Sequence, residues 1–302
     1  MTDSRKVLVT GASSGIGRAS ALALARTGAS LVLVSRSETA LAEVARDCVE
    51  LGGTAQVVVA DVSDAAAVTR AFEKAAADGP LHGVIHSAAA LAYGRFDQVP
   101  AKVFDQAIAT TLLGTANVAR SALAVFHEQG DRGSLVVIGS LLGKIATPYM
   151  TSYVTAKWGV HGLVRTLQIE ARATPGISIS LVSPGGVDTP VYSQAGTYLT
   201  RHGRPPPPVD PPEKVADAAV AALQHARRER SVGIANGIVV AGFRFLPGVF
   251  DLIVSPLMRL GGLTGSHVPP SPGNVLEPQP EGESVHDRWR RWGGQRPPDD
   301  RG

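Results

Sequence analysis

The chain has few of the features that mark secreted, membrane-spanning or nucleic-acid-binding proteins. Cys48 is the single cysteine in 302 residues, which excludes an internal disulfide and favours a reducing compartment. No uninterrupted apolar run reaches the ~18 residues of a bilayer span, and the first residues show no signal-peptide pattern. The net charge is only +3, without a basic stripe. We therefore expect a cytoplasmic protein with no transmembrane segment and no nucleic-acid partner.

The composition is that of a chain with a large core, at 44% hydrophobic and 18% charged residues. From residue 6 to about residue 190, short apolar runs alternate with Ala/Leu-rich helical stretches. The pattern predicts strands at 7–9, 31–34, 57–60, 83–85, 135–138 and 177–182, and helices at 15–27, 39–51, 64–77, 101–129 and 152–173. Near-continuous apolar strands are typical of a sheet covered on both faces. The alternation predicts an α/β fold, a doubly wound parallel sheet of the Rossmann type.

The pattern is less regular after residue 190. A helix is predicted over 213–226, and a strand near 237–241 would complete the sheet. We assign residues 1–260 to the Rossmann-type domain and residues 261–302 to a Pro/Gly/Arg-rich tail of irregular structure. The tail's Trp289, Trp292 and arginines either contact a partner or an anionic surface, or belong to a solvated segment, which is the default interpretation.

Residues 243–260 are apolar but are broken by Pro247, Asp251, Pro256 and Arg259, so they do not form a bilayer span. Three roles are open for this segment. In order of preference, it covers the substrate pocket, forms an oligomer contact, or touches a membrane surface.

A glycine-rich turn lies between the first predicted strand and the first helix, at residues 10–17. Its glycines let the backbone approach a pyrophosphate closely, and the helix N-terminus offers free N–H groups and the positive end of a dipole. Such a turn alone is weak evidence, because many strand-to-helix turns need a glycine. The strand–turn–helix context favours a dinucleotide site. The cofactor-binding residues predicted here are Gly11, Ser13, Ser14, Gly15, Ile16 and Gly17.

The ends of the next two strands bear on the choice of cofactor. An NAD site has a carboxylate after the second strand, whereas this chain has Ser35, Arg36 and Ser37. A guanidinium group can hold a phosphate bidentately, so NADP(H) is favoured, the alternative being that Arg36 is a solvated loop cation. Asp61, followed by Val62, either accepts a hydrogen bond from the adenine amino group or caps the helix beginning near residue 63, or does both.

Tyr153 and Lys157 stand four residues apart, on one face of a predicted helix. A phenol with a pKa near ~10 is a poor base at neutral pH, but a nearby ammonium group lowers that pKa and makes the tyrosine competent to give or take a proton. Ser140 ends the strand before this helix, where its hydroxyl can hold a substrate oxygen. A Tyr-x-x-x-Lys pattern by itself is common by chance.

These separated motifs together resemble the short-chain dehydrogenase/reductase family over about residues 5–245. The matching positions are the glycine-rich turn, Asp61, Val62, Ser140, Tyr153, Lys157, Pro184, Gly185 and Thr189. The resemblance implies one Rossmann-type domain that forms a homodimer or homotetramer through helices flanking the active site. It also implies that Ser140 orients the substrate carbonyl, Tyr153 transfers the proton and Lys157 binds the nicotinamide ribose. The nicotinamide contacts that it implies are Pro184, Gly185, Val187 and Thr189.

Two departures from the family pattern raise a second hypothesis. His86 stands where the family has the first asparagine of an Asn-Asn-Ala-Gly stretch, and Ser87, Ala88 and Ala89 follow as candidate cofactor contacts. Thr111 stands where the family has a catalytic asparagine that holds a relay water. We expect a buried, hydrogen-bonded His86 and an active enzyme in which Thr111 replaces the asparagine. The alternative is an NADP(H)-binding regulator or scaffold with weak or no catalysis.

The residues expected around the substrate are mostly apolar. They are Leu141, Leu142, Tyr149, Val191, Tyr192 and Tyr198. Such a lining suits an apolar ketone or secondary alcohol of a lipid-like or steroid-like kind. No metal site is predicted. The sequence therefore predicts an NADP(H)-dependent oxidoreductase that interconverts a carbonyl and a secondary alcohol.

Overall fold

The computed structural model describes residues 5–287 and Trp289. Trp292 and the neighbouring arginines, for which we weighed contact with a partner or an anionic surface, lie outside the described residues. The strands are β1 (Lys6–Thr10), β2 (Ser30–Ser35), β3 (Thr54–Val59), β4 (Gly83–His86), β5 (Ala92–Tyr93), β6 (Gly133–Ile138), β7 (Ile177–Pro184), β8 (Gly186–Val187), β9 (Gly196–Thr197), β10 (Arg201–Gly203), β11 (Val209–Asp210), β12 (Glu229–Val232) and β13 (Leu263–His267). The α-helices are α1 (Gly15–Ala25), α2 (Glu38–Glu50), α3 (Ala65–Ala76), α4 (Ala101–Ile108), α5 (Gly114–Glu128), α6 (Thr151–Glu170), α7 (Pro212–Gln224), α8 (Asn236–Phe245) and α9 (Pro247–Gly261).

Within residues 5–287, seven parallel strands form the central sheet, in the order β12-β7-β6-β4-β1-β2-β3. The chain moves outward from β1 in one direction through β2 and β3, then returns to the other side of β1 to place β4. The carboxyl ends of β1 and β4 therefore border the switch point, where ligands bind in open α/β sheets. The predicted doubly wound fold is confirmed.

Both faces of the sheet are covered, which explains the nearly continuous apolar strands. Val7 and Val9 of β1 pack in one core cluster with α1, α2 and α7, while Leu8 between them packs in a second cluster with α3, α5 and α6. Successive side chains of a strand point to opposite faces, so a strand with two buried faces needs an apolar residue at every position. Cys48 of α2 belongs to the first cluster and is fully buried, and this burial raises the pKa of its thiol to about 11.

The sequence prediction is wrong about the last strand of the sheet. Residues 237–241 lie in α8, and the sheet ends instead with β12, parallel to β7. β12 is an edge strand in which only Val232 is buried, so it shows no apolar run that a sequence pattern would detect. The β-branched residues of α8 mimic a strand but lie on a helix.

The chain beyond residue 260 departs from the irregular tail that we expected. β13 pairs antiparallel with β10, and residue 197 forms a further bridge with residue 271. Val275 is completely buried in a small cluster with Ala92 and Val103. Residues 263–287 are therefore packed onto the domain.

The helix Ala101–Glu128 is long and apolar enough to cross a membrane by length and composition. It comprises α4, a π-helical turn at Ala109–Leu113, and α5. Val118, Ala122 and Phe126 of α5 pack in the second core cluster against the sheet. The apolar residues of α5 thus form part of the protein core.

Candidate active site

A cleft of about 1270 Å³, including its open mouth, lies at the carboxyl ends of the central strands. Nearly all of the predicted site residues line it: Gly11, Ser13, Ser14, Gly15, Ile16, Ser35, Arg36, Asp61, Val62, Ser87, Ala88, Ala89, Ser140, Tyr153, Lys157, Pro184, Gly185, Val187 and Thr189. Gly17 and Thr111 are not among the lining residues. Gln194, Asn274 and Glu283 also line the cleft and were not predicted from the sequence.

The glycine-rich turn needs its glycines for two different reasons. Gly11 and Gly15 have φ angles of +65° and +52°, a region that side chains disfavour. A Cβ atom on Gly11 would also lie 2.8 Å from the backbone nitrogen of Ala88. Gly17 has a packing role instead, because a Cβ atom there would lie 2.1 Å from the carbonyl oxygen of Gly11. Gly17 therefore lets α1 begin directly against the turn.

Arg36 is held in place and is not a solvated loop cation. Its Nη2 donates to the carbonyl oxygen of Asn274 at 2.6 Å, and its Nη1 donates to the carbonyl oxygen of Val275 at 3.3 Å. Nη1 also lies 3.9 Å from Oδ2 of Asp61. The guanidinium group faces the cleft beside Ser35, at the position where a cofactor phosphate was expected.

Asp61 lines the cleft without capping the helix that follows it. Its Oδ1 accepts hydrogen bonds from the backbone nitrogen and the hydroxyl of Ser63, at 2.8 and 2.7 Å. The cap of α3 is Asp64, whose Oδ1 accepts from the backbone nitrogens of residues 66 and 67. The capping alternative for Asp61 is therefore wrong.

The catalytic candidates Ser140, Tyr153 and Lys157 converge on the inner part of the cleft. Ser140 follows β6, and its Oγ accepts a hydrogen bond from the backbone nitrogen of Leu142 at 3.1 Å. Lys157 is buried on α6, and its Nζ donates to the carbonyl oxygen of Ile138 at 2.8 Å and lies 5.5 Å from the centre of the Tyr153 ring. α6 thus presents the phenol and the ammonium on one face, as the sequence predicted.

The pKa of Tyr153 is shifted in the direction opposite to our expectation. Burial raises it to about 12, and a hydrogen bond with Ser140 lowers it by a smaller amount. Burial also lowers the pKa of Lys157 to about 7, since an ammonium group is poorly solvated there. Burial is the largest cause of the pKa shift of each group. The phenol is consequently protonated at neutral pH, the form that donates a proton to a carbonyl oxygen.

His86 is buried and hydrogen-bonded at both ring nitrogens, which confirms the expectation for this residue. Thr10 Oγ1 lies 2.7 Å from Nδ1, and Thr115 Oγ1 lies 3.0 Å from Nε2. The Thr115 hydroxyl donates to the carbonyl oxygen of Thr111 at 2.6 Å, so it must accept from Nε2–H, and Nδ1 must accept from Thr10. Burial, with a smaller effect from Lys157, lowers the pKa of His86 to about 3. His86 is a neutral structural residue.

The hydroxyl of Thr111 is occupied by the backbone. It accepts from the nitrogen of Ala90 at 3.0 Å and lies 3.3 Å from the carbonyl oxygen of the same residue. Thr111 is completely buried within the π-helical turn, and its neighbour Thr110 lines the cleft instead. The water-holding role that we expected for the Thr111 side chain does not fit this arrangement.

The end of the cleft beyond Tyr153 is apolar. Leu91, Leu142, Met150, Val191 and Tyr192 line it. The predicted pocket residues Leu141, Tyr149 and Tyr198 are not among the lining residues.

Helix α9 packs against the apolar end of the cleft. Met258 and Val254 belong to the same hydrophobic cluster as Tyr153 and Tyr192. Tyr149 connects to α9 through its hydroxyl, which accepts from Nε of Arg259. None of residues 243–260 lines the cleft directly, and the pocket-covering role of this segment stays a prediction.

Comparisons with known proteins agree on one family. The sequence model of the short chain dehydrogenase family matches residues 5–198. An uncharacterized oxidoreductase of Bacillus subtilis, YxnA, is 31% identical over 258 residues, which are 83% of this chain and 72% of YxnA. The probable oxidoreductase EphD of Mycobacterium tuberculosis is 32% identical over 75% of this chain, which spans only 40% of EphD. Among solved structures, an alcohol dehydrogenase of the archaeon Thermococcus sibiricus complexed with 5-hydroxy-NADP superposes with a TM-score of 0.65 at 29% identity, covering 76% of this chain and 95% of that one.

Proposed function

The chain belongs to the short chain dehydrogenase family, and we propose that it is an NADP(H)-dependent enzyme that interconverts an apolar ketone and a secondary alcohol. As a member of this family, the chain is an oxidoreductase. One observation carries the finer proposal: the glycine-rich turn, Arg36, Ser140, Tyr153 and Lys157 all line a single cleft.

The outer half of the cleft fits a dinucleotide. Gly11 and Gly15 of the turn line the cleft and have no side chain, which lets a pyrophosphate approach the backbone closely. The first turn of α1 receives no side-chain cap from Ser14, which leaves its N–H groups for a ligand or for backbone partners. Arg36 and Ser35 favour NADP(H), and the Thermococcus sibiricus enzyme was crystallised with a derivative of NADP.

The inner half of the cleft fits proton transfer at a carbonyl oxygen. A bound nicotinamide ring supplies or accepts the hydride in this family. Ser140 holds the substrate oxygen, and the protonated Tyr153 donates its proton to that oxygen in the direction of reduction. Lys157, whose pKa is about 7, is fixed by the carbonyl oxygen of Ile138 and holds the ribose side of the cofactor.

The substrate proposal depends on the absence of charged partners among the described residues at the apolar end. Leu91, Leu142, Met150, Val191 and Tyr192 carry no charged group that would form an ion pair with a carboxylate or a phosphate. We therefore propose a lipid-like or steroid-like ketone or secondary alcohol, in agreement with the sequence analysis.

Replacing Tyr153 with phenylalanine tests the proposed function. We expect kcat for reduction of a ketone from a diverse carbonyl panel to fall at least 100-fold, because the donor proton is lost, while NADPH binding changes less than about threefold. NADPH absorbance measures turnover, and fluorescence titration measures binding. Full activity of the variant would refute the role of Tyr153. NADPH binding by the wild type with no turnover of any panel member would favour the regulator hypothesis.

We also propose a homodimer or homotetramer in the cytoplasm. Leu113, Trp158 and Ile169 are large apolar side chains, 46–53% exposed, on or beside the helices that flank the site, where the family resemblance places the subunit contacts. The free, buried Cys48 is compatible with a reducing compartment. Sedimentation velocity would measure the oligomeric state.

A further inference from the structure

Residues 271–287, which we call the strap, cross the cofactor half of the cleft. At one end, the backbone nitrogen of Asn274 donates to the carbonyl oxygen of Gln194 at 2.9 Å, and its Nδ2 donates to Oε1 of the same residue at 3.0 Å. At the other end, the backbone nitrogen of Asp287 donates to Oδ1 of Asp188 at 3.1 Å. Burial of Val275 anchors the segment between these points. The strap is thus fixed on both sides of the cleft.

The strap accepts hydrogen bonds from donor groups that we assign to binding of the cofactor phosphates. Its carbonyl oxygens at residues 274 and 275 accept hydrogen bonds from Arg36, and the backbone nitrogen of Gly15 donates to the carbonyl oxygen of Ser284 at 2.8 Å. A phosphate that binds Arg36 therefore has to compete with these carbonyls or use the remaining N–H donors of the guanidinium group.

Glu283 of the strap places a carboxyl group in the cleft that also holds these hydrogen-bond donors. It lines the cleft together with Ser13, Ser35 and Arg36. Its Oε2 is buried and has no hydrogen-bond partner among the described residues. The second strand of this chain ends without an acid, and the strap supplies one from a distant part of the sequence.

We propose that Glu283 is a specificity-determining residue: held by the strap, its carboxylate occupies the subsite that the 2′-phosphate of NADP(H) would fill and weakens NADP(H) binding relative to NAD(H). The inference rests on the proposed function. A carboxylate among the same serines and arginine favours ribose hydroxyls, which donate hydrogen bonds to it, and repels a phosphate. Arg36 and Glu283 therefore act on cofactor choice in opposite directions, and NADP(H) reaches its full affinity only when Glu283 is neutral or displaced.

The burial of the Glu283 carboxyl group supports its proposed role in cofactor choice. Burial raises the pKa of its carboxyl group, and the nearby Ser13 and Ser37 hydroxyls and the Arg36 and Arg18 guanidinium groups offset that effect only in part. A second anion placed beside this buried carboxylate would be repelled, because like charges in a poorly solvated site destabilise each other.

The test measures dissociation constants for NADPH and NADH with the full chain and with Glu283→Gln, which removes the charge but keeps the shape. We expect the variant to bind NADPH about tenfold more tightly and NADH within about twofold of the wild type. Glu281→Gln is the matched control, because Glu281 lies two residues away in the strap and is exposed. It should change neither constant. Glu283→Ala, a second variant, should shift the ratio of the two constants in the same direction.

An unchanged ratio of NADPH to NADH affinity in Glu283→Gln and Glu283→Ala, or a ratio shifted toward NADH, would overturn the role of Glu283 while leaving the proposed function intact. Absence of binding of both cofactors to the wild type and to every variant would overturn the proposed function and this inference with it. A ratio of NADPH to NADH affinity that rises about tenfold in Glu283→Gln and stays unchanged in Glu281→Gln would support the inference.

Discussion

His86 replaces an asparagine of the family pattern with a side chain that joins three elements. Through Thr10 it is tied to β1, and through Thr115 it is tied to α5. In the neutral ring, Nδ1 accepts from the Thr10 hydroxyl and Nε2–H donates to Thr115; in a protonated ring, Nδ1–H would have to donate to Thr10, whose own hydroxyl hydrogen would then lose its acceptor. Burial is the main cause of the lowered pKa of His86, and the charge of Lys157 lowers it further.

The stability of the protein should consequently depend on the protonation of His86. The pKa is lowered from 6.5 to about 3, so the unfolded chain binds this proton more readily than the folded chain. Stability is full above pH 6.5 and is lost as the pH falls toward 3, by at most about 1.4 kcal/mol per pH unit from this residue. Replacement by glutamine removes the titration and retains a donor and an acceptor. We expect urea unfolding of His86→Gln to show a flatter pH dependence between pH 6 and 4.

The control for this prediction is His127→Gln, since His127 is exposed on α5 and pairs with Asp131 near the surface. It should retain the pH dependence of the wild type. His161, whose pKa burial lowers to about 4, contributes equally in all three proteins. Equal slopes for the wild type and His86→Gln would contradict the assignment of His86 as a neutral residue in the fold.

Among the secondary-structure elements, the π-helical turn at Ala109–Leu113 contributes a residue to the cleft and contacts the loop after β4. A π-helical turn contains more residues than an α-helical turn, so it changes the directions in which the side chains between α4 and α5 point. Thr110 lines the cleft, whereas Thr111 lies against the backbone of Ala90. Such turns often occur at functional sites. The turn thereby fixes the loop that follows β4.

Thr111→Val should destabilise the protein by about 1–3 kcal/mol, because the buried backbone nitrogen of Ala90 loses its acceptor. Urea unfolding measures the loss. Thr111→Ser keeps the hydroxyl and should recover most of the stability. A valine variant with unchanged stability and a kcat reduced more than tenfold would instead support the relay role expected from the family resemblance.

The sequence predicted the elements whose signals are local and missed those that depend on distant contacts. The central strands and the glycine-rich turn were predicted because burial on both faces and a close backbone approach each demand particular residue types. Strand β12 was missed because an edge strand tolerates Glu229 and Arg230. Glu283 was missed for a similar reason: a long segment without helical or strand periodicity brings it to the cleft, through contacts such as those of Gln194.

At the scale of the whole molecule, the strap ties the last described part of the chain to both sides of the cofactor half of the cleft. Val275 is its deepest point, with no exposed surface. The strap also contacts α7, where the imidazole of His286 lies 2.8 Å from a carboxylate oxygen of Glu213. The final described segment thus contributes to stability as well as to the site.

Val275→Ala should lower the free energy of unfolding by roughly 1–3 kcal/mol, through lost burial and a small cavity. Chemical denaturation measures this change. Val249→Ala is the control, since Val249 is 53% exposed on α9, and it should stay within about 0.5 kcal/mol of the wild type. Equal stabilities of Val275→Ala and the wild type would show that the strap is not anchored at this point.

The buried position of Cys48 gives the molecule a natural reporter of local opening. A maleimide or disulfide reagent attacks a thiolate, and a pKa of about 11 together with complete burial keeps the native thiol inert at neutral pH. Because the sequence has no other cysteine, any modification records the moments when α2 separates from the sheet. The labelling rate, with and without bound nucleotide, would therefore give the opening free energy of this side of the Rossmann unit without any engineered probe.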